Sequence, residues 1–262
     1  MNKTIVIKIG GSTLGSHDTT LEDIVTLQKQ GKRLVVVHGG GKVVTDWLLK
    51  QNIVTQFVRG ERVTDRASLD IVVAVLAGLV NKELVAAINS LGGKAVGLSG
   101  VDGALIEGKI REPEMGYIGD VTKVNTGILN TLLDAGFVPV VSSIGFNAFE
   151  NQTETTKLLN INGDTVAGEI TAAIGAERLI FLTDVAGILD RSGKLLAQLS
   201  PVEAEALVTS GVASGGMIPK IKSCLRAVSD GRTACVIDGR KPHALLNEIE
   251  GRGEGTRIEK DE

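Results

Sequence analysis

Short runs rich in β-branched residues recur along this chain, each followed by a helical pattern, and that alternation leaves few folds open. The runs lie at Thr4 to Ile9, Arg33 to Val37, Ala95 to Leu98, Phe137 to Val141, Arg178 to Leu182 and Thr233 to Ile237. Parallel strands need crossover connections, usually helical, and a sheet covered on both faces reads as continuous apolar runs rather than alternating ones. The expectation is an α/β chain: a three-layer α/β/α sandwich around an open, mainly parallel sheet. Predicted helices fill the gaps: Asp18 to Gln30, Val43 to Gln51, Thr126 to Ala135, Asp164 to Ile174, Pro201 to Ser210 and Ile218 to Asp230. Ala67 to Leu91 reads as one long helix or two, with Gly78 as the break and Gly92-Gly93 as the stop. Between Ala104 and Lys123 the rhythm fails, and Pro113, Gly116 and Gly119 punctuate a short alternating stretch that predicts a β-hairpin excursion. The later motifs predict two lobes, residues 1–176 and 177–262.

Composition enters where it excludes. The chain has 33 glycines in 262 residues but five prolines and no triplet period, so neither collagen nor a disordered tract fits. The glycines must serve turns and close backbone approaches. With 28 basic and 31 acidic residues the net charge is -3, and no basic block marks a nucleic-acid surface. Cys224 and Cys235 form no C-x-x-C pair and no disulfide framework; Cys224 reads as a buried helix residue and Cys235 as a strand residue. The first apolar stretch is interrupted by Lys8, so no secretory pattern is present, and Ile71 to Val80 falls short of the roughly 20 residues that span a bilayer. A cytoplasmic location is expected.

Two glycine clusters sit where strands give way to helices, the edge at which open α/β sheets bind ligands. In Lys8-Ile9-Gly10-Gly11-Ser12, consecutive glycines suit a phosphate approaching backbone N–H groups and the lysine adds a point charge, although a tight turn with a solvated lysine has the same letters. A lysine among Val6, Ile7 and Ile9 is unusual in a strand and favours function. His38-Gly39-Gly40-Gly41-Lys42 makes an anion nest at a helix start, or a flexible connector; three histidines in the chain give zinc poor support. Asn160 and Asn162, alternating ahead of Asp164, would present two amides on one side of an extended segment; Asp164 would cap the helix or orient a lysine. Arg62 in Gly60–Asp65 offers a guanidinium fork to a carboxylate or to a surface ion pair. Lys220 follows Gly215-Gly216 near a helix start, where phosphate oxygens gather or where a lysine faces solvent. The P-loop, dinucleotide-binding, nucleophile-elbow and zinc-protease patterns are all missing.

Taken in order, nine segments resemble the amino acid kinase family: K-I-G-G-S at Lys8 to Ser12, H-G-G-G at His38 to Gly41, G-E-R-V-T-D at Gly60 to Asp65, G-L-V-N-K at Gly78 to Lys82, A-V-G-L-S-G-V-D-G at Ala95 to Gly103, N-I-N-G-D at Asn160 to Asp164, L-T-D-V-A-G-I-L-D at Leu182 to Asp190, G-G-M-I-P-K at Gly215 to Lys220 and D-G-R-x-P-H-A-L-L at Asp238 to Leu246. Within that family the resemblance is to the members acting on N-acetyl-L-glutamate. It implies an N-terminal lobe that binds the acyl amino acid and dimerises, a C-terminal lobe that binds ATP, and transfer of the γ-phosphoryl group to the side-chain carboxylate, with Mg2+ bridging phosphates and no metal ligands from the protein. By the resemblance, Lys8 and Lys220 would stabilise the phosphoryl group and Asp164 would hold both lysines. Gly40, Gly41, Arg62 and Asn160 would hold the acceptor, and Gly10, Gly11 and Gly41 would donate backbone N–H groups to phosphates. Asp184, Val185, Ala186, Gly187, Ile188 and Leu189, with Val212, Ala213 and Ser214, would line the nucleotide pocket.

Two departures stand out: Lys42 and Val43 follow H-G-G-G where many members have proline and a β-branched residue, and Gly163 stands where many have alanine. The arginine-inhibited members carry an extra N-terminal helix, whereas here the first strand begins at about Thr4, so the resemblance implies an arginine-insensitive homodimer. Two alternatives share the fold. One is a kinase for carrier-protein-linked aminoadipate or glutamate, which would favour a basic rim that this near-neutral chain does not show. The other is a non-catalytic amino-acid sensor, which would have no need of the lysine pair.

Overall fold

Apolar runs without a polar face can be satisfied only by covering both sides of a sheet, and the fold follows from that requirement. In the computed structural model, which describes residues 3–10, 19–58, 60–148, 156–228 and 231–260, the chain begins with β1 (Thr4–Ile9), α1 (Thr20–Lys29), β2 (Arg33–His38), α2 (Gly41–Lys50) and the short strands β3 (Phe57–Val58) and β4 (Glu61–Arg62). Next come α3 (Arg66–Val73), a π-helical turn (Ala74–Val80) and α4 (Asn81–Ser90), continuous as one helix. β5 (Ala95–Ser99), β6 (Ile106–Ile110), β7 (Ile118–Val124), α5 (Gly127–Asp134), β8 (Val138–Ser142), β9 (Ile144–Asn147) and β10 (Leu158–Ile161) follow. The remainder is α6 (Gly163–Ile174), β11 (Arg178–Thr183), β12 (Gln198–Leu199), α7 (Pro201–Thr209), α8 (Met217–Ala227), β13 (Thr233–Asp238), α9 (Ala244–Ile249) and β14 (Gly255–Ile258).

The main sheet has the order β12-β14-β13-β11-β1-β2-β8-β5. Only the β13–β14 pair is antiparallel. β1 is central, flanked by β2 and β11. Its alternation sorts two cores: Ile5, Ile7 and Ile9 join the layer of α1, α2, α3, α4 and α9, while Val6 joins the layer of α5, α6, α7 and α8. Lys8 has the parity of Val6 and so faces the second layer, beneath α6. Both expected thiols are buried, on α8 and β13.

The predicted hairpin is present as β6 and β7, and it does more than protrude: β9 and β10 pair with it to close a four-stranded barrel. Gly78 does not break the long helix. The backbone passes it within the π-helical turn, and Gly92, with φ of 82°, ends the helix as expected. At 25 residues and a mean hydropathy of 2.1 over its most apolar window, Arg66–Ser90 meets the length and composition of a bilayer span, contrary to the estimate from the run Ile71 to Val80 alone. Its buried side chains, among them Val72, Leu76, Val80, Leu84 and Ile88, pack into the second core against the sheet. α9, β12 and β14 were not foreseen.

Candidate functional site

The carboxyl edge of β1 meets the first turn of α6, and there the two predicted lysines share one carboxylate. Lys8 Nζ lies 2.6 Å from Asp164 Oδ1 and Lys220 Nζ lies 3.1 Å from Asp164 Oδ2. Lys8 and Asp164 are 7% and 5% exposed, so the pair is held out of water. Burial would raise the Asp164 carboxyl, but the ammonium groups of Lys8 and Lys220 outweigh it and hold it below the ordinary carboxylate range. Helix capping falls to Asn162, whose Oδ1 accepts from the N–H groups of Asp164 and Thr165, leaving Asp164 free to hold the lysines. Lys220, one turn into α8, also donates to Gly216 O at 3.2 Å. Two cations and one anion leave an excess positive charge in a poorly solvated place, which favours an anionic group between the lysines.

Beside this trio lies a cavity of about 190 Å3 whose lining includes Gly39, Gly40, Gly41, Arg62, Asn160, Asn162 and Gly163, with Val44, Phe57, Val72, Leu76 and Ile118 as its apolar wall and Glu61, paired with Arg111, also at its edge. Gly163 joins the two features: a Cβ there would lie 3.7 Å from Lys8 Cε and 3.6 Å from His38 O. Those are ordinary contacts, so the alanine of other family members would fit. Arg62, 8% exposed, is gripped by hydroxyls and a carbonyl: Nη1 donates to Thr55 Oγ1 at 2.6 Å, and Nη2 to Thr45 Oγ1 at 2.6 Å and Gly41 O at 3.2 Å. Its guanidinium also stacks on the Phe57 ring at 4.7 Å. Among the described residues no carboxylate pairs with it, and burial pulls it below the usual guanidinium range. A carboxylate ligand would restore the missing charge partner. Asn160 donates through Nδ2 to Thr64 Oγ1 at 3.0 Å, which leaves its carbonyl oxygen to accept an amide N–H from the cavity.

The structure thus brings Lys8, Lys220, Asp164, Gly40, Gly41, Arg62 and Asn160 to one region. Gly10 donates its N–H to Leu182 O at 3.2 Å, extending the sheet. Gly11 lies outside the described residues. Asp184, Val185, Ala186 and Leu189 form an exposed loop beyond β11; Gly187 and Ile188 turn inward, and Ile188 donates its N–H to Thr256 Oγ1. Val212, Ala213 and Ser214 lie between α7 and α8, with Ala213 buried. Lys42 points out from the first turn of α2 in an exposed pair with Asp46, away from the cavity. Sequence reasoning missed Thr45, Thr55 and Thr64; only Thr64 lay inside a recognised motif.

The profile of the amino acid kinase family matches residues 3–238. A relative from Dehalococcoides mccartyi strain CBDB1, named acetylglutamate kinase, is 52% identical over 257 residues, covering 98% of this chain and 94% of the relative. A solved protein of Streptococcus mutans UA159 superimposes with a TM-score of 0.83 at 28% identity, with full coverage of both chains. The N-acetylglutamate synthase of Neisseria gonorrhoeae, solved with coenzyme A and N-acetyl-glutamate, gives 0.84 at 27% identity over all of this chain and 60% of that one.

Proposed function

The chain belongs to the amino acid kinase family, and from that premise we propose that it transfers the γ-phosphoryl group of ATP to the side-chain carboxylate of N-acetyl-L-glutamate, giving the 5-phosphate of the arginine pathway. Relatives at 44–52% identity bear the name of that activity. The observation that carries the assignment is the pairing of a lysine–aspartate–lysine trio with a cavity of the right chemistry beside it: a guanidinium with no carboxylate partner among the described residues, an amide carbonyl and an apolar wall. N-acetylglutamate has the complement, an α-carboxylate for Arg62, an amide N–H for Asn160 and an acetyl methyl for the wall of Val72, Leu76 and Ile118. Relatives of this name favour the free acid over a carrier-linked acceptor, and the intact trio disfavours a sensor.

The acceptor carboxylate is ionised at pH 7 and attacks phosphorus without a general base. The barrier is then electrostatic and positional: three anionic groups must be brought into line while charge shifts from the γ-phosphoryl to the β-phosphate. Lys8 and Lys220 supply fixed positive charge on either side of the moving group, and Asp164 orients both ammonium groups before substrate arrives, so little reorganisation remains. Gly40 and Gly41, at the start of α2, bring backbone N–H groups to the acceptor end. Residues 184–189 and 212–214 flank the nucleotide on the half of the sheet built from β11, β13, β14 and β12, with residues 1–176 forming the acceptor lobe. Mg2+ would enter as the nucleotide complex, because the buried carboxylate at the transfer point, Asp164, is committed to the lysines.

We assign a homodimer on the outer face of Arg66–Ser90, where Ala67, Ala74 and Ala86 are exposed on an apolar helix; sedimentation at the monomer mass would remove it. The decisive assay incubates the protein with free N-acetyl-L-glutamate, MgATP and hydroxylamine, which traps an acyl phosphate as the coloured hydroxamate. Hydroxamate in step with ADP is expected, and ADP release without it at saturating acceptor would overturn the assignment.

A further inference from the structure

The G-L-V-N-K segment at Gly78–Lys82 has no part in the transfer chemistry, yet its asparagine occupies a demanding position. Asn81 directly follows the π-helical turn as the first residue of α4 and is fully buried. Its Nδ2 lies 3.1 Å from His38 Nε2, 2.9 Å from Val140 O and 3.3 Å from Leu98 O, so one amide meets three neighbouring strands, β2, β8 and β5. Carbonyl oxygens accept only, which fixes the amide with nitrogen toward the strands; its two hydrogens are shared among the three acceptors, and Nδ2 cannot accept a proton from His38 Nε2. The other ring nitrogen, His38 Nδ1, lies 2.9 Å from Gly39 O and must carry the ring proton to donate there. The imidazole is therefore held as the Nδ1–H tautomer. Burial, with Lys8 and Lys82 nearby, pushes its pKa down to about 4, which keeps the ring neutral at working pH.

The same helical turn touches the next glycine. A Cβ on Gly40 would come within 2.7 Å of Leu76 Cδ2 and 3.4 Å of Val80 Cγ2, both from the π-helical turn. A Cβ on Gly97 would overlap Asn81 Oδ1, so β5 is bare where the amide sits. π-Turns interrupt helices at a cost and concentrate at functional sites; here the interruption brings Asn81, Leu76 and Val80 together under the Gly39–Gly41 loop. We propose that Asn81 and His38 are positioning residues, relaying the π-helical turn to Gly39 O and so setting the glycine loop that receives the acceptor. The relay rests on the transfer reaction proposed above only for its kinetic readout.

Replacement of the ring by either half of its hydrogen-bonding pattern tests it. In His38→Asn the amide nitrogen can take the place of Nδ1 and donate to Gly39 O; in His38→Gln the amide reaches toward Asn81 and the donor to Gly39 is lost. His38→Gln should raise the KM for N-acetylglutamate about tenfold, with kcat and the KM for ATP within about twofold, whereas His38→Asn should stay within about threefold of wild type. Asn81→Leu, which breaks the same Nε2 contact as His38→Asn and leaves the Nδ1 donor to Gly39 O in place, should match His38→Asn rather than His38→Gln. Equal acceptor KM values in the two His38 variants, or an ATP KM rising in step, would overturn the relay, and loss of folding in Asn81→Leu leaves that comparison intact. Imidazole 15N spectra, in a chain of three histidines, decide the point without catalysis: a His38 ring found as the Nε2–H tautomer refutes the relay even if hydroxamate forms, and missing hydroxamate with the Nδ1–H tautomer refutes the transfer reaction instead.

Discussion

Lys8 and Arg62 show how differently two buried cations can act. Lys8 is paired with Asp164 before any substrate binds, so in the transfer proposed above its charge would count most as phosphoryl charge moves. Lys8→Ala should lower kcat about 10²- to 10³-fold while both KM values change little, because the lost term belongs to the transition state; a fall confined to KM would place the lysine in ground-state binding. Arg62 has hydroxyl and carbonyl partners but no described anion. Arg62→Ala should raise the acceptor KM about 10- to 100-fold, the range of a charged hydrogen bond lost, with kcat reduced far less. Steady-state titration of N-acetylglutamate distinguishes the two patterns. Lys8 was legible in the sequence as a charge in an apolar strand, and Asp164 as an acid at a helix start. The capping role of Asn162 was less so, because capping and lysine orientation are both open to an aspartate at that position until geometry assigns them. The hydroxyls that hold Arg62 were invisible: Thr55 and Thr45 stand 7 and 17 residues before it, and no spacing rule joins a threonine to a guanidinium across that distance.

At the scale of elements, the long strands and helices were readable to within one to three residues at most ends because each buries a full stripe or face. The short ones were not. β9 and β10 have four residues each and β12 has two, too few for a period to register, and their pairing is set by partners far away in sequence. The small barrel they complete with the hairpin could be known only from contacts. The long helix was readable in extent but not in winding. α6 supplies the element-scale prediction. Its first residue is Gly163, with a negative-side helical position and room for a methyl group. Gly163→Ala should therefore stabilise the protein by about 0.4–1 kcal/mol, chiefly by restricting the unfolded chain. Denaturant melts measure it, and a lower midpoint at unchanged slope would mean that Lys8 or Ser143 does not yield the expected space.

For the whole molecule, the parallel order of the sheet was implied by the alternation of strands and helices, but the antiparallel edge of β14 on β13 was not, since α9 and β14 are too short to announce a return. The completed fold encloses His38 between the sheet and the long helix, and that enclosure makes the protein acid-sensitive well above the range of ordinary carboxylates. A histidine lowered from 6.5 to about 4 is protonated first in the unfolded chain as pH falls. Its contribution is complete above pH 6.5 and is lost progressively toward pH 4, a change of about 3 kcal/mol at the limit. Asp164, held below its ordinary range by Lys8 and Lys220, adds a second loss at still lower pH, as it too becomes protonated. His243 opposes both: its pairing with Asp23 at 2.7 Å raises its pKa, so that it stabilises the acid side and loses this contribution as pH rises through its folded value. That pair joins α1 to the start of α9; Asp23 is buried but His243 is half-exposed and screened by solvent on its side, so the enclosed His38 ring dominates. Urea melts at pH 7, 5.5 and 4.5 should show stability falling at each step, and the fall between pH 7 and 4.5 should be smaller in His38→Gln, whose side chain cannot take up a proton. Parallel losses in the two proteins would move the source of acid sensitivity away from His38.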